Sequence, residues 1–256
     1  MIDMVFDAHL HLGESAVSGR VITESALLEA CERNGVDGGL VFPFPLVTDY
    51  RRAHDLIAAF CARHPGFVGG ACLNPLVGED AYIAEVERCI RDLGFVANKL
   101  HPMCYSLSPL YEKARVVFAV AQRLGIPTVV HTGRGIPFAL PSLCIPRAIE
   151  FPDMPIVLAH AGWGLFSAEA IVAAQVCPNI YLETSWCSAE DIAAMIRQIG
   201  PGRVMMGSDT LENLPVELAK YHSLPLSPAV RDQCLGATAR TLFAARATGT
   251  GPRSLP

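Results

Sequence analysis

The stretch FDAHLHLG, residues 6–13, decides between two α/β folds. An open doubly wound sheet that binds a nucleotide carries a glycine-rich loop after its first strand. Here the first predicted strand leads instead into two histidines, His9 and His11, two residues apart. The stretch therefore favours a closed barrel, in which polar side chains collect where the strands end.

The rest of the chain repeats one pattern, in which short apolar runs alternate with segments of helical periodicity and Gly, Pro or Asn separate them. Alternating β/α units predict a parallel sheet, and eight of them in 256 residues predict a single (β/α)8 TIM barrel. The alternative is an open doubly wound sheet. We predict strands at 5–9, 38–42, 67–73, 95–100, 127–131, 155–160, 180–184 and 203–209. We predict helices at 23–34, 51–63, 80–93, 109–124, 166–176, 188–199, 215–222 and 229–245. One domain over 1–256 is expected, with a frayed end at about 247–256.

Composition narrows the partners of this chain. A net charge of -5 without a run of basic residues argues against nucleic acid, so a small-molecule substrate is expected. No apolar run is long enough for a membrane span, and no signal peptide is predicted. The nine cysteines form no CxxC pair, which is typical of reduced thiols in a cytoplasmic protein.

Strand 1 carries the first candidate ligands. Because neighbouring residues of a strand point to opposite faces, we expect Asp7, His9 and His11 to face the barrel mouth together. The residues of this strand that we expect to face outward are Phe6, Ala8 and Leu10. Two imidazoles on one face can chelate one cation.

Two residues from distant strands can reach the same ion. His131 ends the fifth predicted strand and Asp209 the eighth, and such a set of imidazoles and a carboxylate suits a divalent metal, with Zn²⁺ as first choice and Mn²⁺ or Fe²⁺ as alternatives. A bound ion lowers the pKa of its water and polarises a carbonyl, while Asp209 takes up a proton.

Five motifs in register resemble the amidohydrolase superfamily. They are DAHLH (7–11), KLHP (99–102), VVHTG (129–133), LAHAG (158–162) and GSDT (207–210), and GATARTLF (236–243) is similar to the closing helix of one branch. That amidohydrolase-related branch contains aminocarboxymuconate-semialdehyde decarboxylase and several lactone hydrolases, and the resemblance covers nearly the whole chain.

The resemblance implies roles for particular residues. His9, His11, His131 and Asp209 would ligate metal, and His160 would be a second-metal ligand or a catalytic imidazole. In binuclear relatives a lysine at the end of strand 4 is carboxylated and bridges two ions. Lys99 is the matching residue, although His101 shares its face of the strand and either could reach the centre. A site with one metal ion and a site with two are therefore both alternatives.

Four residues are candidates for substrate binding. Arg134 follows His131 by three positions and could pair with a carboxylate, but a solvated loop position is the alternative. Trp163 and Trp186 follow the sixth and seventh predicted strands and could form walls of a pocket. His101 could contact substrate or bond only to backbone.

Three functions compete for this site. The first is a metal-dependent hydrolase of an amide, ester or lactone, with Asp209 shuttling the proton and His160 assisting. The second is a metal-dependent non-oxidative decarboxylase of an aromatic or muconate-type acid, and the third is a catalytically inactive ligand-binding barrel. The compact length favours hydrolysis. A homodimer through the outer helices is also open.

Overall fold

The computed structural model describes residues 4–244, and within them the eight predicted strands alternate with helices, while a short hairpin and two short helices were not predicted. The strands are β1 (Phe6–His11), β2 (Gly13–Glu14), β3 (Val21–Ile22), β4 (Gly38–Phe42), β5 (Phe67–Cys72), β6 (Ala97–Leu100), β7 (Thr128–His131), β8 (Ile156–Ala159), β9 (Ile180–Glu183) and β10 (Val204–Met205). The helices are α1 (Glu24–Asn34), α2 (Tyr50–Arg63), α3 (Glu79–Arg91), α4 (Pro102–Tyr105), α5 (Glu112–Leu124), α6 (Ile145–Glu150), α7 (Ser167–Val176), α8 (Ala189–Ile199), α9 (Leu214–Ser223) and α10 (Pro228–Asp232).

Eight of the strands form one parallel sheet in the order β1, β4, β5, β6, β7, β8, β9, β10, while β2 and β3 form a separate hairpin. The two ends of the sheet meet. The backbone N–H of Ala8 donates to the Met206 carbonyl at 3.0 Å, and that of Asp209 donates to the His9 carbonyl at 2.8 Å. These bonds close the sheet, and the predicted (β/α)8 barrel is confirmed.

Helix boundaries follow local signals in the sequence. Thr23 caps α1 by accepting from the Ala26 N–H, and Gly35 ends that helix with a left-handed φ of 66°. At α8, Ser188 and Asp191 form a reciprocal capping box. The long predicted helices lie within three residues of the observed bounds at each end, and caps of this kind account for that agreement at α1 and α8.

The apolar residues pack in two layers, one on each side of the strands. Leu40, Val129 and Val157 belong to a cluster in the barrel interior, and its lower end is filled by Leu242 and Phe243 of the C-terminal helical segment. Leu158, Leu182 and other residues that face outward pack against the ring of helices. The alternating faces of the strands thus build both cores.

Strand β1 departs from regular alternation, and the prediction for Asp7 is wrong. Asp7 pairs with Gly39 and Leu10 with Val41, so β1 holds one extra residue in a β-bulge. Phe6 and Ala8 therefore belong to the interior cluster although both were expected to face outward. Leu10 does face outward. Asp7 lies on the same side of the strand as Leu10, because both side chains approach Gly39. His9 and His11 keep the inward orientation.

The chain stays helical from Pro228 to Ala244, with wide π-type turns at 233–237 and 240–244, which agrees with the predicted final helix. The predicted frayed end at 247–256 lies outside the described residues, and a single domain over the whole chain stays a prediction. Among residues 4–244, no helix combines the length and the apolar character that crossing a bilayer requires.

A substitution at Gly38 tests how closely the barrel strands pack. A Cβ atom added there would lie 1.9 Å from the Gly66 carbonyl oxygen, so we expect Gly38→Ala to lower the free energy of unfolding by about 1–3 kcal/mol. Urea unfolding measures the change. Gly202→Ala is the control, because its added Cβ has nothing within 4 Å. Equal stability of the two variants would contradict this close contact.

Candidate metal centre and active site

Six buried or nearly buried polar residues converge where the strands end. His9 and His11 come from β1, Lys99 from β6 and His131 from β7. His160 directly follows β8 and Asp209 lies four residues after β10. Each is 0–5% exposed except Asp209, whose side chain is 18% exposed. The structure therefore brings together these six predicted residues, whereas Asp7, which was expected to face the mouth with His9 and His11, lies on the other side of β1.

The inner atoms of this cluster lie close together. Asp209 Oδ1 is 3.5 Å from His9 Nε2 and 3.4 Å from His11 Nε2. Lys99 Nζ is 2.5 Å from His9 Nε2 and 3.3 Å from His11 Nε2. One atom each of His9, His160 and Asp209 also lie within 4.8 Å of one another. Several donor atoms thus point at one small volume.

The outer nitrogens of the histidines have fixed partners. His9 Nδ1 donates to Glu183 Oε2 at 2.9 Å, and His11 Nδ1 donates to the Pro43 carbonyl at 3.1 Å. His160 Nδ1 donates to Ser185 Oγ at 2.7 Å, whose hydroxyl donates in turn to Glu183 Oε2. These bonds leave each Nε2 unprotonated and directed inward, which is the arrangement that ligating histidines need.

Glu183 is the central buried acid that the sequence did not assign. It is fully buried, and burial raises the pKa of its carboxyl to about 7, although hydrogen bonds from Ser185 and His160 oppose that rise. Besides His9, it accepts from the backbone N–H groups of His160 and Ser185. A lone acid within the otherwise apolar strand IYLET was the only signal of this role.

Burial favours the neutral form of the histidines at the centre. It lowers the pKa of His9, His11 and His160, and Lys99 adds to this effect while the Asp209 carboxylate opposes it. Burial likewise lowers the pKa of His131 to about 4. Neutral imidazoles keep the lone pairs that a metal ion requires.

His131 supplies an independent indication of a ligand. Its Nε2 bonds to the Arg134 carbonyl at 2.9 Å, while its buried Nδ1 has no hydrogen-bond partner among residues 4–244. A buried polar atom without a partner is costly unless something else binds it. The donor set, rich in imidazole with one carboxylate, fits a divalent transition metal.

Lys99 in strand β6 contacts the inner nitrogens of His9 and His11, whereas His101, which follows the strand, bonds to backbone. Burial lowers the pKa of the Lys99 ammonium, and its Nζ lies 4.9 Å from the ring centre of Phe42. His101 caps α4, where its Nδ1 accepts from the Cys104 N–H at 3.3 Å. Its ring stacks on His131, with centres 4.0 Å apart. His101 thus bonds to backbone, as one of the two interpretations of the sequence had it.

The backbone is strained around the mouth. Five non-glycine residues that follow strands β8, β9 and β10 have positive φ, namely His160, Ala161, Trp163, Trp186 and Asp209. Such conformations cost about 1–3 kcal/mol each and concentrate at functional sites. The cluster marks this end of the barrel as the functional end.

The remaining candidate residues form the rim. The indole rings of Trp163 and Trp186 stack in parallel at 5.0 Å, and the Arg134 guanidinium lies 5.2 Å from the ring centre of Trp163. Trp163 also lies edge-on to His160 at 4.8 Å. The exposed Arg134 has no carboxylate partner among the described residues. An aromatic wall and one unpaired cation therefore border the centre.

A Glu183→Gln variant tests the hydrogen bonds around the buried acid. An amide NH₂ cannot accept, so one or more of the surrounding donors would lose its partner, and we expect the free energy of unfolding to fall by about 1–3 kcal/mol. Chemical denaturation measures the change. The control is Glu32→Gln at an exposed position of α1, which should stay within about 0.5 kcal/mol of the parent. If both variants unfold alike, Glu183 does not hold this network.

Comparison with known proteins gives consistent matches. A family model described as amidohydrolase matches residues 7–244. A gamma-resorcylate decarboxylase of Rhodococcus jostii (strain RHA1) is 24% identical over 248 residues, covering 75% of each chain. Among solved structures, dihydroxybenzoic acid decarboxylase from Polaromonas sp. JS666, with bound manganese and the inhibitor 2-nitroresorcinol, superimposes with a TM-score of 0.76 at 18% identity over 94% of this chain and 97% of that one. The 5-carboxyvanillate decarboxylase of Novosphingobium aromaticivorans DSM 12444 is complexed with manganese and 4-hydroxy-3-methoxy-5-nitrobenzoic acid. It superimposes with a TM-score of 0.77 at 14% identity, over 94% of this chain and 96% of that one.

Proposed function

Because this chain belongs to the amidohydrolase family, we propose that it catalyses the metal-dependent, non-oxidative decarboxylation of a small hydroxylated aromatic acid. The observation that carries the proposal is the match to gamma-resorcylate decarboxylase along most of the chain. The cluster of neutral imidazoles around Asp209 supports it, since it provides both metal ligands and groups that move a proton.

The hydrolase predicted from the sequence is wrong. The curated relatives are gamma-resorcylate decarboxylases, and the structural neighbours include decarboxylases of 2,6-dihydroxybenzoate and 5-carboxyvanillate. Compact length was the reason for preferring hydrolysis. Length did not separate the two reactions, because the fold of the decarboxylases extends over 94% of this chain's own residues and these curated relatives are all decarboxylases.

His9, His11, His131 and Asp209 are the residues that we propose to hold the metal. Manganese replaces zinc as our first choice, because two of the superimposed decarboxylases contain it. A divalent ion held by these residues would supply Lewis-acid chemistry and polarise the carboxylate of the substrate. Lys99 belongs to the proposed site as a free amine or as the carboxylated form that would accommodate a second ion. Intact mass measured under native conditions distinguishes these forms.

We assign the proton to the pair of His160 and Asp209. Ser185 accepts the Nδ1 hydrogen of His160, so Nε2 is the atom that takes up and returns a proton. The two residues have donor atoms within 4.8 Å of each other, which allows a proton to pass between them through a short path. In the reaction Nε2 takes up a proton from solvent and donates it to the ring carbon, while the bond from that carbon to the carboxylate breaks and carbon dioxide leaves. The electron pair of the broken C–C bond returns to the ring.

The rim would orient the aromatic ring and exclude water. Trp163 lies edge-on to His160, where it can pack against a planar substrate. Arg134 stacks on Trp163 with its guanidinium available, so it can pair with an anionic group at the far end of the substrate. A planar, anionic small molecule thus suits the chemistry of this pocket.

Product analysis tests the proposal. Manganese-loaded protein is incubated with 2,6-dihydroxybenzoate and with 5-carboxyvanillate, and released carbon dioxide and the decarboxylated phenol are measured. A parallel panel of lactones and amides is screened for hydrolysis, and His9→Ala is the control for dependence on the centre. Hydrolysis of the panel without release of carbon dioxide from any aromatic acid would overturn the proposal.

A further inference from the structure

The two oxygens of Asp209 have different surroundings. Oδ1 faces the imidazoles of His9 and His11 at 3.4–3.5 Å. Oδ2 faces the rim and accepts from the indole N–H of Trp186 at 2.8 Å. The carboxylate is therefore oriented by a contact on the side away from the centre.

Trp186 is itself held in place by two further contacts and has a restricted backbone conformation. Its φ is 67°, in the left-handed region, and its backbone N–H donates to the buried carboxylate of Glu217 at 2.7 Å. Its ring stacks on Trp163 with an interplanar angle of 7°. Since the indole has one N–H donor and that donor is used by Asp209, the side chain has no further polar group for a substrate.

Glu217 extends this arrangement to helix α9. It is fully buried and also accepts from Asn213 Nδ2 at 2.7 Å, while Asn213 donates to the Ser208 carbonyl next to Asp209. The same helix thus fixes the backbone on both sides of the Trp186–Asp209 contact. Glu217 is thus a buried acid outside the centre that holds the backbone of Trp186 and the side chain of Asn213.

We propose that Trp186 is a positioning residue, which holds Asp209 Oδ2 so that Oδ1 alone is presented to the metal. This inference rests on the proposed function, because it requires a metal at the centre. The contact of Trp186 with substrate that the sequence suggested stays a prediction beside this role. Residues that orient a ligating carboxylate affect metal affinity even though they do not touch the ion.

The test is direct titration of chelator-treated protein with Mn²⁺ by calorimetry. We expect Trp186→Phe, which keeps an aromatic ring but loses the N–H, to weaken Mn²⁺ affinity about 10- to 100-fold. Trp163→Phe is the matched control. It alters the same stacked pair without removing a hydrogen bond to Asp209, so its affinity should stay within about threefold.

A second measurement uses the fact that the chain has two tryptophans. With Trp163→Phe the remaining fluorophore is Trp186, and its emission should change on addition of the diamagnetic ion Mg²⁺ or Zn²⁺. With Trp186→Phe the remaining Trp163 should respond weakly. The double variant Trp186→Phe/Asp209→Asn is expected to lose less Mn²⁺ binding free energy than the two single variants lose in sum.

The outcomes separate the two proposals. If the parent and Trp163→Phe bind Mn²⁺ and Trp186→Phe binds it equally well, the role of Trp186 is refuted and the proposed function stands. Equal weakening in both Phe variants would also refute it, because stacking rather than the hydrogen bond would then matter. If the parent binds no metal, the proposed function fails, and the inference with it.

Discussion

A His160→Gln variant is expected to lose about a thousandfold in kcat on the aromatic acid, within the 10²- to 10⁴-fold range of general acid–base catalysis. Glutamine can still hydrogen bond to Ser185, but it has no nitrogen that can take up and return a proton. The metal ligands proposed here remain in place. Turnover is followed by loss of substrate absorbance, and metal per chain by plasma mass spectrometry.

Metal content separates a catalytic role of His160 from a ligand role, which the sequence left open. If His160→Gln keeps a full complement of metal, the loss in rate belongs to the proton. If metal disappears together with activity, His160 is a ligand. The matched control is His222→Gln at an exposed position near the end of α9, which should keep the parent rate. Parent-like turnover of His160→Gln would remove this residue from the mechanism.

Removal of the metal is expected to abolish turnover and to lower the melting temperature. A ligand at a free concentration 1,000 times its Kd stabilises the native state by about 4 kcal/mol, which for a chain of this size corresponds to a shift in Tm of about 10 °C. Calorimetric scans with and without a chelator measure the shift. Addition of Mn²⁺ to the treated protein should restore both Tm and activity.

A His9→Ala variant shows whether this stabilisation comes from the proposed centre. The substitution removes one inward nitrogen and leaves the carboxylate of Glu183 without its His9 partner. Its Tm should therefore be lower than that of the parent and should not respond to Mn²⁺. A parent-like rise in Tm would place the metal elsewhere in the chain.

Periodicity was sufficient to predict the barrel, because each strand and helix carries its own local signals. The helix over Glu24–Asn34 shows this, since Thr23 and Gly35 mark its ends in the sequence and in the structure. The last barrel strand was predicted at 203–209 and forms only Val204–Met205. After Met205 the chain leaves the regular hydrogen-bonding pattern of the sheet, and Asp209 adopts a left-handed φ. A functional conformation thus overrides the strand propensity.

The centre was only partly predictable. His9, His11, His131 and Asp209 share a recognisable position at strand ends, but the bond from His9 to Glu183 joins residues 174 apart in sequence. No local pattern encodes such a contact. The bulge in β1 was missed for a similar reason, because alternation assumes one residue per partner. Hydrolysis and decarboxylation were not separable, since the same ligands and proton carriers serve both.

The closure of the barrel links its topology to its proposed metal. The hydrogen bond between the Asp209 N–H and the His9 carbonyl joins the last barrel strand to the first, and the side chains of the same two residues are proposed ligands. A bound ion would therefore cross-link His9 and Asp209, which are about 200 residues apart. A cross-link that closes so long a loop restricts the unfolded chain most. Local opening between the first and last strands would then be the same event as release of the ion, so amide hydrogen exchange along this seam would be slowed by metal.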